Sequence, residues 1–301
     1  MSNVSTIQPM NSLSVAPPVQ NPPSQRRIGE LLVEAGRMTA AQVERVLHVQ
    51  SETGGRFGEI AVRLKFVSPD HVQDALARQF GSTSTDDLIN AKLPAKIATV
   101  FRPASPFVES VRALRSQLML RWFDGSPGQT ALAITSVDRA DGKSFICGSL
   151  GVAFAQLGER TLIIDADMRH ATQHTVFGLP NRLGLSGMLS GRAGLEEIAT
   201  LEGLPNLSVL ASGPLPPNPQ ELLSRQEFSR LLNEMSSHYD VILLDTPSAQ
   251  EASDAHVIAQ RAKACLIVGR KDKTRANEIN QLAAIFQNSG ITILGATFNE
   301  Y

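Results

Sequence analysis

The stretch ITSVDRADGKSF at 134–145 contains Gly142-Lys143-Ser144. Those three residue types in that order suit the binding of a phosphate chain. A glycine lets the backbone aim N–H groups at an anion where a helix starts, a lysine reaches the terminal phosphates, and a serine hydroxyl can ligate Mg²⁺. Val137 stands where G-x-x-x-x-G-K-S has its first glycine, so by itself the stretch could also be a chance Gly-Lys-Ser at a helix start. Two further stretches carry carboxylates. TLIID at 161–165 passes into Asp165-Ala166-Asp167-Met168-Arg169, and VILLD at 241–245 closes on Asp245 before a Thr-Pro break. One such aspartate could simply cap a helix. Acidic groups at the ends of two apolar runs, together with a Gly-Lys-Ser loop, point instead to a phosphate-bound cation. His170 and His174 stand at i and i+4 and could bind metal if helical, but with no third ligand they read as a surface pair.

Such residues act together only if strands carry them to a common edge. Apolar β-type runs occur at 131–136, 161–165, 207–211, 241–245, 265–269 and 292–297, alternating with helical patterns. Each run is continuous, as in strands covered on both faces. The pattern predicts an α/β fold over 102–301, a doubly wound, mainly parallel sheet of the P-loop NTPase kind. In these sheets ligands sit beyond the C-terminal strand ends. The loop before Lys143, the Asp165–Arg169 stretch and Asp245 all lie there.

A small all-α domain is expected ahead of it, over 26–81. The pattern R-I-G-x-x-L-x-x-x-G-x6-V-x3-L-x2-Q at 27–50 returns at 56–79 as R-F-G-x-x-A-x-x-x-K-x6-V-x3-L-x2-Q, an offset of 29 residues. Each copy reads as a short helix followed by a capped one, opened by Thr39 with Gln42 in the first copy and by Ser68-Pro69 in the second. Residues 1–25, rich in Ser, Pro, Asn and Gln, read as a disordered tail, and 82–101 as a linker.

Twenty-eight basic against 29 acidic residues, a formal net charge of −1, leave no electrostatic footprint for nucleic acid. No apolar run approaches the roughly 20 residues that span a bilayer, and the N-terminus lacks a signal-peptide pattern. The expected location is therefore the cytoplasm, with any membrane role mediated by a partner. Cys147 and Cys265 lie in apolar patterns and read as buried, reduced thiols.

Over roughly 102–301 the chain resembles the bacterial tyrosine kinases (BY-kinases) of polysaccharide export, and among them the EpsG-type chain-length-determinant kinases. The resemblance rests on SPFVESVRALRSQL at 105–118, LIIDADMRH at 162–170, GLSGMLSG at 184–191, LSVLASGPLPPNPQELLSR at 207–225, YDVILLDTPSA at 239–249 with Asp254-Ala255, and the closing GATFNEY. It implies a phosphate-binding stretch Asp138, Arg139, Ala140, Asp141, Gly142, Lys143, Ser144 and Phe145, with ATP as the nucleotide. It implies Mg²⁺ held with Ser144, Asp165 and Asp245, and catalysis by Lys143, Asp165 and Asp167, one of the two aspartates supporting the metal and the other polarising a tyrosine hydroxyl. Glu109, Arg112 and Arg115 match the family's E-x-x-R-x-x-R, which implies homo-oligomeric rings; a solvated helix face gives the same i, i+3 spacing.

Two departures stand out. The family usually has Pro-Gly where this chain has Arg139-Ala140, so a left-handed backbone at Ala140 would be strained by about 1 kcal/mol. The family's closing tyrosine cluster is reduced to Tyr301, and Tyr239, ahead of an apolar strand, reads as a packing residue, leaving Tyr301 as the autophosphorylation candidate. Asp138 stands where ParA/MinD-type partitioning ATPases keep a lysine, which argues against that class. The family also implies a membrane chain-length-determinant (polysaccharide co-polymerase) partner at the inner membrane.

The repeat at 27–79 resembles the N-terminal domain of the MshE/GspE type, which implies a cyclic di-GMP contact by Arg27, Gly29, Gln50, Arg56, Gly58 and Gln79. A docking domain that keeps only the helix packing is the alternative. The expected function is an ATP-dependent protein tyrosine kinase or autokinase controlling exopolysaccharide chain length and export. The alternative is a catalytically weak, nucleotide-binding assembly protein of the same export complex.

Overall fold

A computed structural model describes residues 28–69, 71, 72, 75 and 105–300. The expectations for the tail at 1–25 and the linker at 82–101, and those placed on Arg27, Gln79 and Tyr301, lie outside the described residues.

The repeat folds as helices α1 (Ile28–Glu34), α2 (Ala40–Thr53) and α3 (Phe57–Arg63), with helix resuming at Pro69. Thr39 and Gln42 close the expected capping box on α2, and the Ser68 hydroxyl accepts from the His71 N–H at 3.3 Å. The two copies share one core, Leu31, Leu32, Met38 and Val46 meeting Ile60, Ala61, Val67 and Ala75. Two of the repeat's glycines, Gly29 and Gly58, are close-packing residues. A Cβ on Gly29 would lie 2.9 Å from Val43 Cγ1, and one on Gly58 would lie 2.5 Å from Val72 Cγ1.

The second region opens on α4 (Pro106–Arg121) and continues through β1 (Ala131–Ser136), α5 (Lys143–Leu157), β2 (Thr161–Asp165), α6 (Gln173–Phe177) and α7 (Gly184–Leu189). It then runs through β3 (Ile198–Leu201), β4 (Leu204–Leu210), α8 (Pro219–Ser224), α9 (Gln226–His238), β5 (Val241–Asp245), α10 (Asp254–Ala262), β6 (Ala264–Arg270), α11 (Ala276–Asn288) and β7 (Thr292–Asn299). The sheet order is β3-β4-β2-β5-β1-β6-β7, parallel throughout except for β3 on β4.

Each continuous apolar run feeds two cores by its period-2 alternation. Leu132, Ile134, Ile163, Leu243 and Val268 face one layer with Leu150 and Phe154 of α5 and Val108 and Leu118 of α4. Ala133, Ile164, Leu244 and Ile267 face the other with Phe228, Ile258, Leu282 and Phe286 of α9, α10 and α11. Two expectations are corrected. The sheet has a seventh strand, short β3, which no continuous apolar run marks because its burial is partial and its partner β4 lies only a turn away. The run at 292–297 is half exposed rather than covered on both faces, because β7 is the sheet edge, with Phe298 50% exposed. Among the described residues no helix is long and apolar enough to cross a membrane.

Candidate nucleotide-binding site

The strand order places β2, β5 and β1 side by side, and their registers bring the chemistry to one edge. Asp165 pairs with Asp245 across β2 and β5, and Ile134 pairs with Asp245 across β1 and β5. The Ala166 N–H donates to the Asp245 carbonyl at 2.9 Å, so the Asp-x-Asp stretch leaves the sheet directly over Asp245.

Beyond β1 the chain turns through 137–142 into α5. Gly142 is left-handed at φ 92°, and Asn299 occupies the space where a Cβ would stand. Ala140 is also left-handed, at φ 67°, the strained conformation foreseen for it. The loop holds this shape through Asp141, which is fully buried. Its Oδ2 accepts from the Asp138 N–H at 3.0 Å, its Oδ1 accepts from the Thr274 hydroxyl at 3.1 Å, and its carbonyl accepts from Asn299 Nδ2 at 3.3 Å. Asp141 thus points into the protein rather than toward the anion side, and burial raises its pKa. Arg139 is exposed, and the Phe145 ring packs against Phe107 of α4 at 5.4 Å.

At the start of α5, Lys143 Nζ lies 3.3 Å from Asp167 Oδ2, both groups buried. The Ser144 hydroxyl donates to Asp245 Oδ1 at 3.1 Å. Asp165 Oδ2 accepts the Thr172 and Gln173 N–H groups, each at 2.9 Å, while Asp165 Oδ1 is buried with no hydrogen-bond partner. Desolvation, then the Asp245 charge, pushes the Asp165 carboxyl well above the usual carboxylate range. Desolvation raises Asp245 to about 6 against the pull of Lys143. Three buried carboxylates facing one lysine form a donor set short of positive charge. An orphaned buried carboxylate oxygen with hard oxygen neighbours fits Mg²⁺. Among the described residues no three acidic or imidazole groups form a closed chelate.

The predicted residues Lys143, Ser144, Asp165, Asp167 and Asp245 therefore converge. Glu109, Arg112 and Arg115 lie elsewhere, on α4. Glu109 and Arg112 pair at 2.7 Å on its exposed face, whereas Arg115 is half-buried and donates to the Ala153 carbonyl at 3.0 Å. In the helical repeat Gly29 and Gly58 are close-packed, Gln50 Nε2 donates to the Gly55 carbonyl at 2.9 Å, and Arg56 is exposed. Tyr239 packs against the core, and both cysteines are fully buried and free. His170 precedes α6, so the helical condition for a metal pair with His174 is not met; its Nδ1 lies 3.3 Å from Glu251.

Residues that spacing did not reveal complete the site. Gln173, fully buried, donates from Nε2 to Asp245 Oδ2 at 2.7 Å and to the Ser144 carbonyl at 2.9 Å. Arg169 donates to the buried Asp254 at 2.8 Å, tying the Asp-x-Asp loop to α10. Thr274 and Asn299 brace the loop. Each partner lies tens of residues or more away, and a lone Gln, Thr or Asn carries no signal of that contact.

Comparison with known proteins supplies a family. The model "Cellulose biosynthesis protein BcsQ" matches residues 129–285. A putative tyrosine-protein kinase CapB from Staphylococcus aureus is 37% identical over 200 residues, 66% of this chain and 86% of that protein. Tyrosine-protein kinase Etk from Escherichia coli K12 is 34% identical over 200 residues, 66% of this chain but 27% of Etk, so the chain spans about a quarter of that relative. The crystal structure of the chimerical protein CapA2B2 superposes with TM-score 0.64 at 32% identity, covering 72% of this chain and 98% of that one.

Proposed function

The chain belongs to the family of bacterial tyrosine-protein kinases built on the P-loop fold, and on that premise we propose that it transfers the terminal phosphoryl group of ATP to protein tyrosine. One observation carries this reading: Lys143, Ser144, Asp165, Asp167 and Asp245 from three separate strand ends share one buried cluster. Phosphoryl transfer asks little covalent chemistry of a protein, so positioning and charge neutralisation are the tasks to fill. The N–H groups of 138–145 and the start of α5 would cradle the phosphates, with Lys143 on the terminal ones. Ser144, Asp165 and Asp245 would hold Mg²⁺, which when bound supplies neutralisation of phosphate charge. Lys143 now spends its charge on Asp167. Once phosphate draws Lys143 away, the Asp167 carboxylate is free to accept the hydrogen bond of an incoming tyrosine hydroxyl and orient it for in-line attack.

The setting we propose is control of exopolysaccharide chain length and export, at the inner-membrane surface, with a membrane chain-length-determinant partner. The family resemblance supports that setting. The exposed Glu109–Arg112 pair on α4 supports a homo-oligomer, and the repeat at 27–79 supports a cyclic di-GMP input. A second reading keeps nucleotide binding without tyrosine transfer, and the chain's two tyrosines favour it, since Tyr239 is packed against the core.

Mass spectrometry after incubating the purified chain and the partner's cytoplasmic segment with Mg-ATP separates the two. The kinase reading expects phosphate on Tyr301 or on a partner tyrosine, abolished in Lys143→Ala. No modification above that control leaves the assembly reading.

A further inference from the structure

We infer that Gln173 is the positioning residue that joins the phosphate loop to both carboxylate stretches and sets them for the cation. This rests on the Mg-nucleotide reading of the site. Gln173 touches all three parts at once. Its main-chain N–H donates to Asp165 Oδ2 at 2.9 Å, and its Nε2 donates to Asp245 Oδ2 at 2.7 Å and to the Ser144 carbonyl at 2.9 Å. The Ser144 hydroxyl donates to the other Asp245 oxygen at 3.1 Å, so the Asp245 carboxylate is held by one donor on each oxygen. Gln173 is fully buried, and its Oε1 has no hydrogen-bond partner among the described residues. A buried amide carbonyl that receives no donor from the protein is an acceptor open to a donor from outside it. The hydration water of a divalent cation is a donor class that fits it, and the cluster holds two further buried acceptors without a hydrogen bond, Asp165 Oδ1 and Asp167 Oδ2. Such outer contacts typically change metal affinity 10- to 100-fold when removed.

The test uses the full chain, Mn²⁺ as an EPR probe and a non-hydrolysable ATP analogue. Gln173→Met keeps length and volume without donor or acceptor. It is expected to bind Mn²⁺ at least about tenfold more weakly. Gln173→Glu keeps the shape but sets a carboxylate against Asp245. Its melting temperature is expected to rise with Mn²⁺ more than that of wild type, an effect that packing alone would not produce. Unchanged Mn²⁺ affinity in Gln173→Met, or equal Mn²⁺ stabilisation of wild type and Gln173→Glu, overturns the inference. Wild type that binds no Mn²⁺ with the analogue overturns the nucleotide reading itself, and with it this role.

Discussion

Asp165 shows what a single buried carboxyl does to the cation-free protein. Two N–H groups at the start of α6 hold its Oδ2, yet desolvation and the neighbouring Asp245 outweigh them and raise its pKa. A carboxyl whose pKa rises on folding contributes its full stability below the unfolded value, 3.8, and loses it as pH climbs through the folded value. Asp245, raised to about 6, acts in the same direction. Cation-free protein is therefore expected to melt at progressively lower temperature between about pH 4 and 7. Asp165→Asn keeps the acceptor for Thr172 and Gln173 and puts a neutral amide where Oδ1 is orphaned. It should flatten that loss and stabilise the cation-free protein by about 1–3 kcal/mol at pH 7, while abolishing the extra stabilisation by Mg-nucleotide. Thermal melts across this pH range, with and without Mg-nucleotide, check both signs, and a steeper profile in the variant would refute the assignment.

At the scale of the element, the phosphate loop is a strained turn held by long-range braces. Ala140 at φ 67° costs on the order of 1 kcal/mol as a non-glycine left-handed residue. The buried Asp141 anchors the turn through Thr274, in the turn between β6 and α11, and Asn299, the last residue of β7. The two kinds of contribution predict opposite shifts. Ala140→Gly relieves strain worth slightly more than the backbone freedom it adds to the unfolded chain, so its melting temperature should rise by a few degrees. Thr274→Val preserves shape but leaves Asp141 Oδ1 buried and undonated, so it should destabilise by about 1–3 kcal/mol and weaken nucleotide binding with it. Denaturant unfolding of the two variants beside wild type checks the pair. The same braces explain how a loop lacking the first glycine of its motif still turns correctly into α5.

Across the whole molecule, one sheet buries two cores and delivers three functional segments to a single edge, while the repeat at the start of the chain builds a third core of its own. Close packing accounts for Gly29 and Gly58 by itself, so the ligand proposal for the repeat falls on its arginines and glutamines. Saturable cyclic di-GMP binding by calorimetry, lost in Arg27→Ala, is the expected outcome; heat of dilution alone in wild type would leave the repeat a docking unit. The sequence by itself determined the sheet class, six of its seven strands and the caps of the repeat, and it marked Lys143, Ser144, Asp165, Asp167 and Asp245 as the candidates that the fold brings together. Those signals are local: continuous apolar runs, capping spacings, and charged residues placed where such runs end. Only the tertiary structure decided that Lys143 rests on Asp167, that Arg115 is spent on the Ala153 carbonyl, that β7 lies at an open edge, that Gln173 donates to Asp245, and that Thr274 and Asn299 donate to Asp141. Those contacts join residues 24 to 158 apart. A hydrogen bond between groups so separated is set by strand order and register, and neither composition nor periodicity records which partner the folded chain brings near.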